Sequence, residues 1–309
     1  MIYCGLLNPA VDLCLKLDRF EMGNTLLDLP SRVVPSGKGI NVARVIKALG
    51  EDVCVAALMP ENDSLRFSSF LTDLGIKPLF FETPGSARIN VTLSEEKSAC
   101  VSHLNCSSSQ VPLRVQEEFL QFISGHINKS DQWCFSGSIP SGFEKDIYAR
   151  IVNICHSKGA DTLVDTRGDA LKHGIRARPL IIKPNITELE EYFEEPVHGV
   201  HHMALKGKRF IDMGISYVFI SLGADGMIAL HKNDCLLCSP PSVRAVSTVG
   251  CGDALVAGVV VALKRKFSFP EICRMAVACG ASNAVHEEPG VVTRDEIWQL
   301  MEDVQVNAV

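Results

Sequence analysis

Gly250, Gly252 and Asp253 stand together in Ser247-Thr248-Val249-Gly250-Cys251-Gly252-Asp253-Ala254, directly before a long apolar run. Glycines there permit a tight turn that aims several backbone N–H groups and a helix dipole at one spot. Such a spot attracts an anion, phosphate first among them. A carboxylate beside it can accept a hydroxyl proton while the turn stabilises developing charge. A simpler reading also stands: Asp253 caps a helix and the glycines merely shape its entry. The apolar run ends at Lys264-Arg265-Lys266 and is too short to span a bilayer. It predicts a buried helix over 253–264, closed by cations at its negative end.

These residues need a frame to hold them, and the hydrophobic pattern supplies one. Ile2 to Leu7 reads as a buried strand stopped by Asn8-Pro9, with Asp12 just beyond. Pro35-Ser36-Gly37-Lys38-Gly39 opens a helix whose apolar positions fall largely on one face, and Gly50 ends it. Further strands are expected at 52–58, 76–81, 133–135, 161–165, 180–183 and 217–222. Helices are expected at 63–74, 115–127, 144–157, 187–193, 270–286 and 294–304, with hairpins at 88–104 and 226–238. Residues 13–35 and 88–104 predict a small separate sheet, and His198-Gly199-Val200-His201-His202 a polar surface loop. The alternation implies an α/β fold: a doubly wound, mostly parallel sheet flanked by helices. Ligands of such sheets sit at the carboxyl ends of the strands. That places 8–12, 136–138, 183–188 and 221–226 on one edge.

Composition narrows the function. The chain has 309 residues, 47% of them apolar, enough for a large aliphatic core, and a net charge of −6 that argues against nucleic acid as a partner. Its 12 cysteines are scattered through expected strands and helices, as befits reduced core thiols. Cys235 and Cys238 form a lone CxxC with no second pair and predict no metal site. The amino-terminal stretch lacks a basic region and meets Pro9 too early for a signal peptide, so a cytoplasmic protein without membrane contact is expected.

Six motifs in order then carry a resemblance. They are Asn8-Pro9-Ala10-Val11-Asp12, Pro35-Ser36-Gly37-Lys38-Gly39-Ile40-Asn41-Val42-Ala43-Arg44, Ser136-Gly137-Ser138, Lys183-Pro184-Asn185-Ile186-Thr187-Glu188-Leu189, Ser221-Leu222-Gly223-Ala224-Asp225-Gly226 and the turn at 247–254. Together they resemble the PfkB, or ribokinase-like, carbohydrate kinases over essentially the whole chain. The branch most resembled is that of 1-phosphofructokinase and tagatose-6-phosphate kinase.

The resemblance implies one kinase domain over 1–309, with a β-sheet lid at about 13–35 and 88–104 through which two chains would form a homodimer. It implies ATP and Mg²⁺ as cofactors and a ketohexose phosphate as the acceptor of a phosphoryl group. Asp253 would be the base, with Gly250, Cys251 and Gly252 forming the anion-binding turn. Asp12, Gly37, Lys38, Asn41, Arg88 and Ser136 would bind the sugar phosphate. Lys183, Asn185, Ser221, Gly223, Gly226 and Asn283 would bind the nucleotide, and Glu188 the metal through water. Asn185 and Glu188 equally suit a helix capping pair. Ser36 and Cys251 replace a frequent glycine and alanine. Leu26-Leu27 stands where this branch often carries Asn-Arg, removing one expected phosphate contact. A kinase for an unphosphorylated sugar or a nucleoside therefore stays open, as does a non-catalytic sugar-phosphate sensor.

Overall fold

A computed structural model describes residues 1–95 and 100–309. Fourteen strands and ten helices follow one another among these residues. The amino-terminal part holds β1 (Ile2–Leu6), β2 (Ala10–Leu17), β3 (Ser31–Ser36), α1 (Lys38–Ala48), β4 (Val53–Pro60), α2 (Glu61–Asp73), β5 (Lys77–Thr83), β6 (Arg88–Glu95) and β7 (Cys100–Asn105). The middle holds α3 (Leu113–His126), β8 (Gln132–Ser136), α4 (Ile147–Lys158), β9 (Asp161–Asp165), α5 (Gly168–Arg176), β10 (Ile181–Ile182), α6 (Ile186–Phe193), α7 (Gly199–Asp212) and β11 (Tyr217–Ser221). Last come β12 (Met227–His231), β13 (Asp234–Ser239), α8 (Cys251–Lys264), α9 (Phe269–Ala284), α10 (Arg294–Asp303) and β14 (Gln305–Ala308).

Ten strands make one sheet in the order β14-β13-β12-β11-β10-β9-β8-β1-β4-β5. From β11 to β5 every neighbouring pair is parallel, while β12, β13 and β14 form an antiparallel edge. This is the expected doubly wound α/β architecture. Strand β4 is buried along nearly its whole length, as a strand covered on both faces must be.

A second sheet of four strands runs β3-β2-β6-β7. Its register sorts the side chains. Asp12 lies opposite Val34 and Asn90, and Asn90 opposite Asn105, so one face is largely polar. The next row, Val33-Leu13-Val91-Leu104, is apolar throughout and belongs to the other face. The expected hairpin at 88–104 is present as β6 and β7, and its residues 96–99 lie outside the described residues.

Several expectations need correction. The histidines at 198–202 do not sit in a loop: His198 caps α7 and the other two ride on its first turn. Helices α5 and α7 were not foreseen, because their apolar positions are interrupted by histidine, lysine and glycine; strand β14, Gln305–Ala308, is too short and too polar to show a period-two pattern. Cys235 and Cys238 lie three apart on β13, a spacing that puts them on opposite faces. No helix among the described residues is long and apolar enough to cross a membrane.

Helix α8 is the spine of the core. Residues Asp253 to Ala262 are all buried, and α1 and α9 pack against it. Gly258 allows the approach of α9: a Cβ there would lie 2.8 Å from Ala276 Cα and 2.9 Å from the Met275 carbonyl oxygen. Both are backbone atoms of a packed helix. Gly258→Val should therefore cost about 1–3 kcal/mol through overpacking. In urea the unfolding midpoint should fall with an unchanged slope, and an unaltered midpoint would show that the two helices have room to part.

Candidate active site

Five neighbouring parallel strands deliver residues to one edge. Beyond β1 comes Asn8; β8 ends at Ser136, β9 at Asp165 and β11 at Ser221, while Lys183 directly follows β10. The loops are tied to each other. Asn8 Nδ2 donates to Ser138 Oγ at 3.0 Å. The Ser221 N–H donates to the Pro184 carbonyl at 3.0 Å, which sets the 221–226 loop beside Asn185.

Helices α1 and α8 begin at the same edge. Gly39 lets α1 press on β1, for a Cβ there would lie 2.8 Å from the Gly5 carbonyl oxygen. Gly250 caps α8 with φ 84°, a left-handed conformation that suits glycine. A Cβ at Gly250 would also fall 2.7 Å from Pro289 Cβ. The first amides of a helix have no partner within it. Here the Cys251 N–H turns to the Thr248 carbonyl at 3.4 Å, whereas those of Gly252 and Asp253 have no partner among the described residues. The expected anion-binding turn thus narrows to the two amides after Cys251.

Asp253 is buried, and its Oδ2 accepts from Asn41 Nδ2 at 2.8 Å across 212 residues of sequence. Burial drives its carboxyl up to about 6; Lys38, Asn41 and Lys183 oppose that and Asp165 adds to it. Asp165, which sequence reasoning missed, has no exposed surface and pairs with two cations at once. Lys38 Nζ lies 3.1 Å from Oδ2 and Lys183 Nζ 3.1 Å from Oδ1. Burial alone would raise this carboxyl, but the two lysines hold it below the ordinary aspartate value. Asp165 in turn pushes Lys38 upward against the cost of burial. Lys183 Nζ also stands 3.6 Å from where a Cβ would sit on Gly252. Two lysines and two aspartates therefore meet at the open end of α8.

Asn185 and Glu188 form a reciprocal capping box on α6: the Glu188 N–H donates to Asn185 Oδ1 at 2.8 Å and the Asn185 N–H to Glu188 Oε2 at 2.9 Å. Burial raises the Glu188 carboxyl, with Lys183 pulling the other way. Glu188 Oε1 keeps its lone pairs free of protein donors among the described residues, so the residue suits a water of a hydrated Mg²⁺.

A second polar group lies on the small sheet. Arg88 Nη1 donates to Asn90 Oδ1 at 2.7 Å, and Asn90 Nδ2 to Asp12 Oδ1 at 2.8 Å. Arg88 Nε is buried without a partner among the described residues. Asn90 also went unnoticed in the sequence, although its position two residues after Arg88 on a strand puts both on one face. Lys38, assigned with Arg88 to the sugar phosphate by the resemblance, is bonded to Asp165. Gly223 (φ 64°) and Gly226 (φ 96°) shape the loop after Ser221. Asn283 is fully buried: its Nδ2 donates to the Val249 carbonyl at 2.8 Å, and its Oδ1 accepts from the Gly290 N–H at 2.7 Å. It braces the turn from behind. Leu27 is 77% exposed in the β2–β3 connection.

An open α/β sheet with a glycine turn, a buried aspartate and paired lysines at its carboxyl edge has the chemistry that a phosphoryl-transfer site requires. The pfkB family carbohydrate kinase model matches residues 7–293. The chain belongs to that family. It is 32% identical to the 1-phosphofructokinase of Escherichia coli strain K12 over 97% of this chain and 96% of that one. It is 27% identical to the tagatose-6-phosphate kinase of Staphylococcus epidermidis, over 99% of each. In fold it matches Escherichia coli phosphofructokinase-2, crystallised with potassium, at TM-score 0.91 and 22% identity over 98% of both chains. A tetrameric inhibited form of that enzyme is also known.

Asp165 offers a stability test. Its depressed carboxyl contributes stability that is present above the unfolded value near ~4 and is lost as pH falls through the folded one. Asp165→Asn leaves Lys183 buried with no carboxylate, and should cost about 3–5 kcal/mol near neutral pH. The gap to wild type should narrow in acid. A gap independent of pH would show that charge pairing is not what Asp165 contributes.

Proposed function

We propose that the protein transfers the γ-phosphoryl group of ATP to a primary hydroxyl of a ketohexose phosphate, of the tagatose 6-phosphate or fructose 1-phosphate type, giving a bisphosphate. The observation that carries this is the meeting of buried Asp253 with the open amides of α8 and the Lys38–Asp165–Lys183 set. The names of the curated relatives support the acceptor class.

The sugar lies between Asp12 on the small sheet and Asn41 on α1, with Gly37 allowing close approach and Ser136 flooring the site. Arg88 takes the sugar's own phosphate with its guanidinium group. Asn41 holds Asp253 in place, and Asp253 accepts the hydroxyl proton as the oxygen attacks in line. The Gly252 and Asp253 amides receive the charge that develops. Lys38 and Lys183, both tied to Asp165, neutralise the polyphosphate from the other side. Ser221, Gly223 and Gly226 line the nucleotide, and Asn283 acts indirectly by bracing the turn. Mg²⁺, held by Glu188 through water, would screen the phosphate charge.

Asp253→Asn should lower kcat by at least ~10²-fold and leave ATP binding nearly unchanged. Because Asp253 must be ionised to act, kcat/KM should fall with acid below about pH 6. A near-normal mutant, or an acid limb at ordinary carboxylate pH, would return Asp253 to a capping role. Initial rates on tagatose 6-phosphate, fructose 1-phosphate, fructose 6-phosphate, fructose and nucleosides identify the acceptor. Preference for free sugar or a nucleoside, which the exposed Leu27 would suit, would overturn the sugar-phosphate assignment.

The small sheet is, on this reading, a lid, and its apolar row Val33-Leu13-Val91-Leu104 meets the same row of a second chain. Val33 and Leu104 are each more than half exposed in a single chain, a cost that pairing removes. Sedimentation should give a dimer at micromolar concentration; a fully active monomer would refute it.

A further inference from the structure

Charge joins the small sheet to the body of the protein. On β3, Arg32 Nη1 donates to Glu288 Oε1, and on β2, Lys16 Nζ lies 3.5 Å from Glu287 Oε2. Both glutamates belong to the segment after α9. The other oxygen of Glu288 accepts from Arg44 Nη2 at 3.2 Å, and Arg44 Nη1 donates to the Pro289 carbonyl at 3.0 Å. Arg44 rides on α1, three residues beyond Asn41, and only 14% of its side chain is exposed. Glu288 is thus fixed from the body side and presents a steady carboxylate to the more exposed Arg32.

The segment it belongs to is packed onto the site. Pro289 limits Gly250, as described above. A Cβ on Gly290 would lie 2.8 Å from Asn41 Cα, and the Gly290 N–H is held by Asn283. One carboxylate therefore links three things: the small sheet, the helix carrying Lys38 and Asn41, and the brace of the α8 turn. Arg32 lies opposite Cys14, two residues from Asp12, on the face that also carries Arg88 and Asn90. Whatever holds Arg32 holds that face against the body of the protein, on the side of α1 and the segment after α9.

We propose that Glu288 is a positioning residue that docks the small sheet on the catalytic body through Arg32, setting the Asp12–Asn90–Arg88 group against Asp253. This rests on the reading of that group as the sugar-phosphate site. Exposed ion pairs are weak one at a time. Glu288 gains its effect from being held by Arg44, which spares Arg32 the cost of ordering its partner.

The test compares Glu288→Ala, Arg32→Ala and the double variant in two measurements. In kinetics, each single variant should raise KM for the accepted sugar phosphate about tenfold, the scale of one hydrogen bond to a charged group. The double variant should be no worse than either, because the same link is broken, and KM for ATP should stay within about twofold. In hydrogen–deuterium exchange without ligands, peptides covering 10–17 and 31–36 should exchange faster in all three variants, while those from β8 and β9 do not change. A silent Arg32→Ala beside a damaging Glu288→Ala would overturn the proposal, since Glu288 would then act on its own segment alone. A parallel rise in KM for ATP, or unchanged exchange in the small sheet, would overturn it as well. Should the wild type phosphorylate no sugar phosphate, the functional reading falls, and the exchange data still decide the docking.

Discussion

Asp165 is a carboxylate taken wholly out of water, and such a group survives in a fold only when it is paired. Lys38 and Lys183 supply the pairing from two directions, one from the start of α1 and one from the loop after β10. The arrangement works in reverse too. Two cations near one point would repel each other and drift toward solvent, and Asp165 keeps both at the edge where α8 opens. The positive end of the site is therefore built on a buried negative charge.

The two aspartates of the site are shifted in opposite directions by almost the same surroundings. Asp165 touches both lysines directly, and their attraction outweighs its burial. Asp253 touches only the amide of Asn41, so burial wins and its carboxyl rises to about 6. A carboxylate already weakened as an acid is a better proton acceptor. A single contact distance separates a group that anchors cations from one suited to act as a base.

What the sequence revealed was local. The glycine turn before α8, the Asn185–Glu188 capping pair and most of the alternation of strands and helices depend on neighbours a few residues apart, and these are found where they were expected, α5, α7 and β14 apart. Asp165 carries no such mark. It ends an ordinary apolar strand, and its meaning comes from Lys38, 127 residues away in the chain. Asn90 and Glu288 were hidden for the same reason: a polar residue on a strand and a glutamate in a charged pair look like solvated surface until the sheets are assembled. The bond from Lys38 to Asp165 was equally invisible, for it joins the start of α1 to the end of β9.

Asn283 shows how far the site is organised before any ligand arrives. An amide side chain has two donor hydrogens and an acceptor oxygen. In Asn283 one hydrogen reaches the Val249 carbonyl, the oxygen takes the Gly290 N–H, and the Cys251 sulfur lies 3.5 Å from the same nitrogen. With no surface exposed and its bonds already committed inside the protein, it has little left to offer a nucleotide. What it does instead is fix the turn on both sides, at Val249 before Gly250 and at Gly290 against Asn41. Donors held in this way need not reorganise when charge develops, and that is where preorganised amides gain over water. The same brace reaches Asp253 through Asn41, so the buried carboxylate and the open amides at the start of α8 are positioned by one side chain that touches neither.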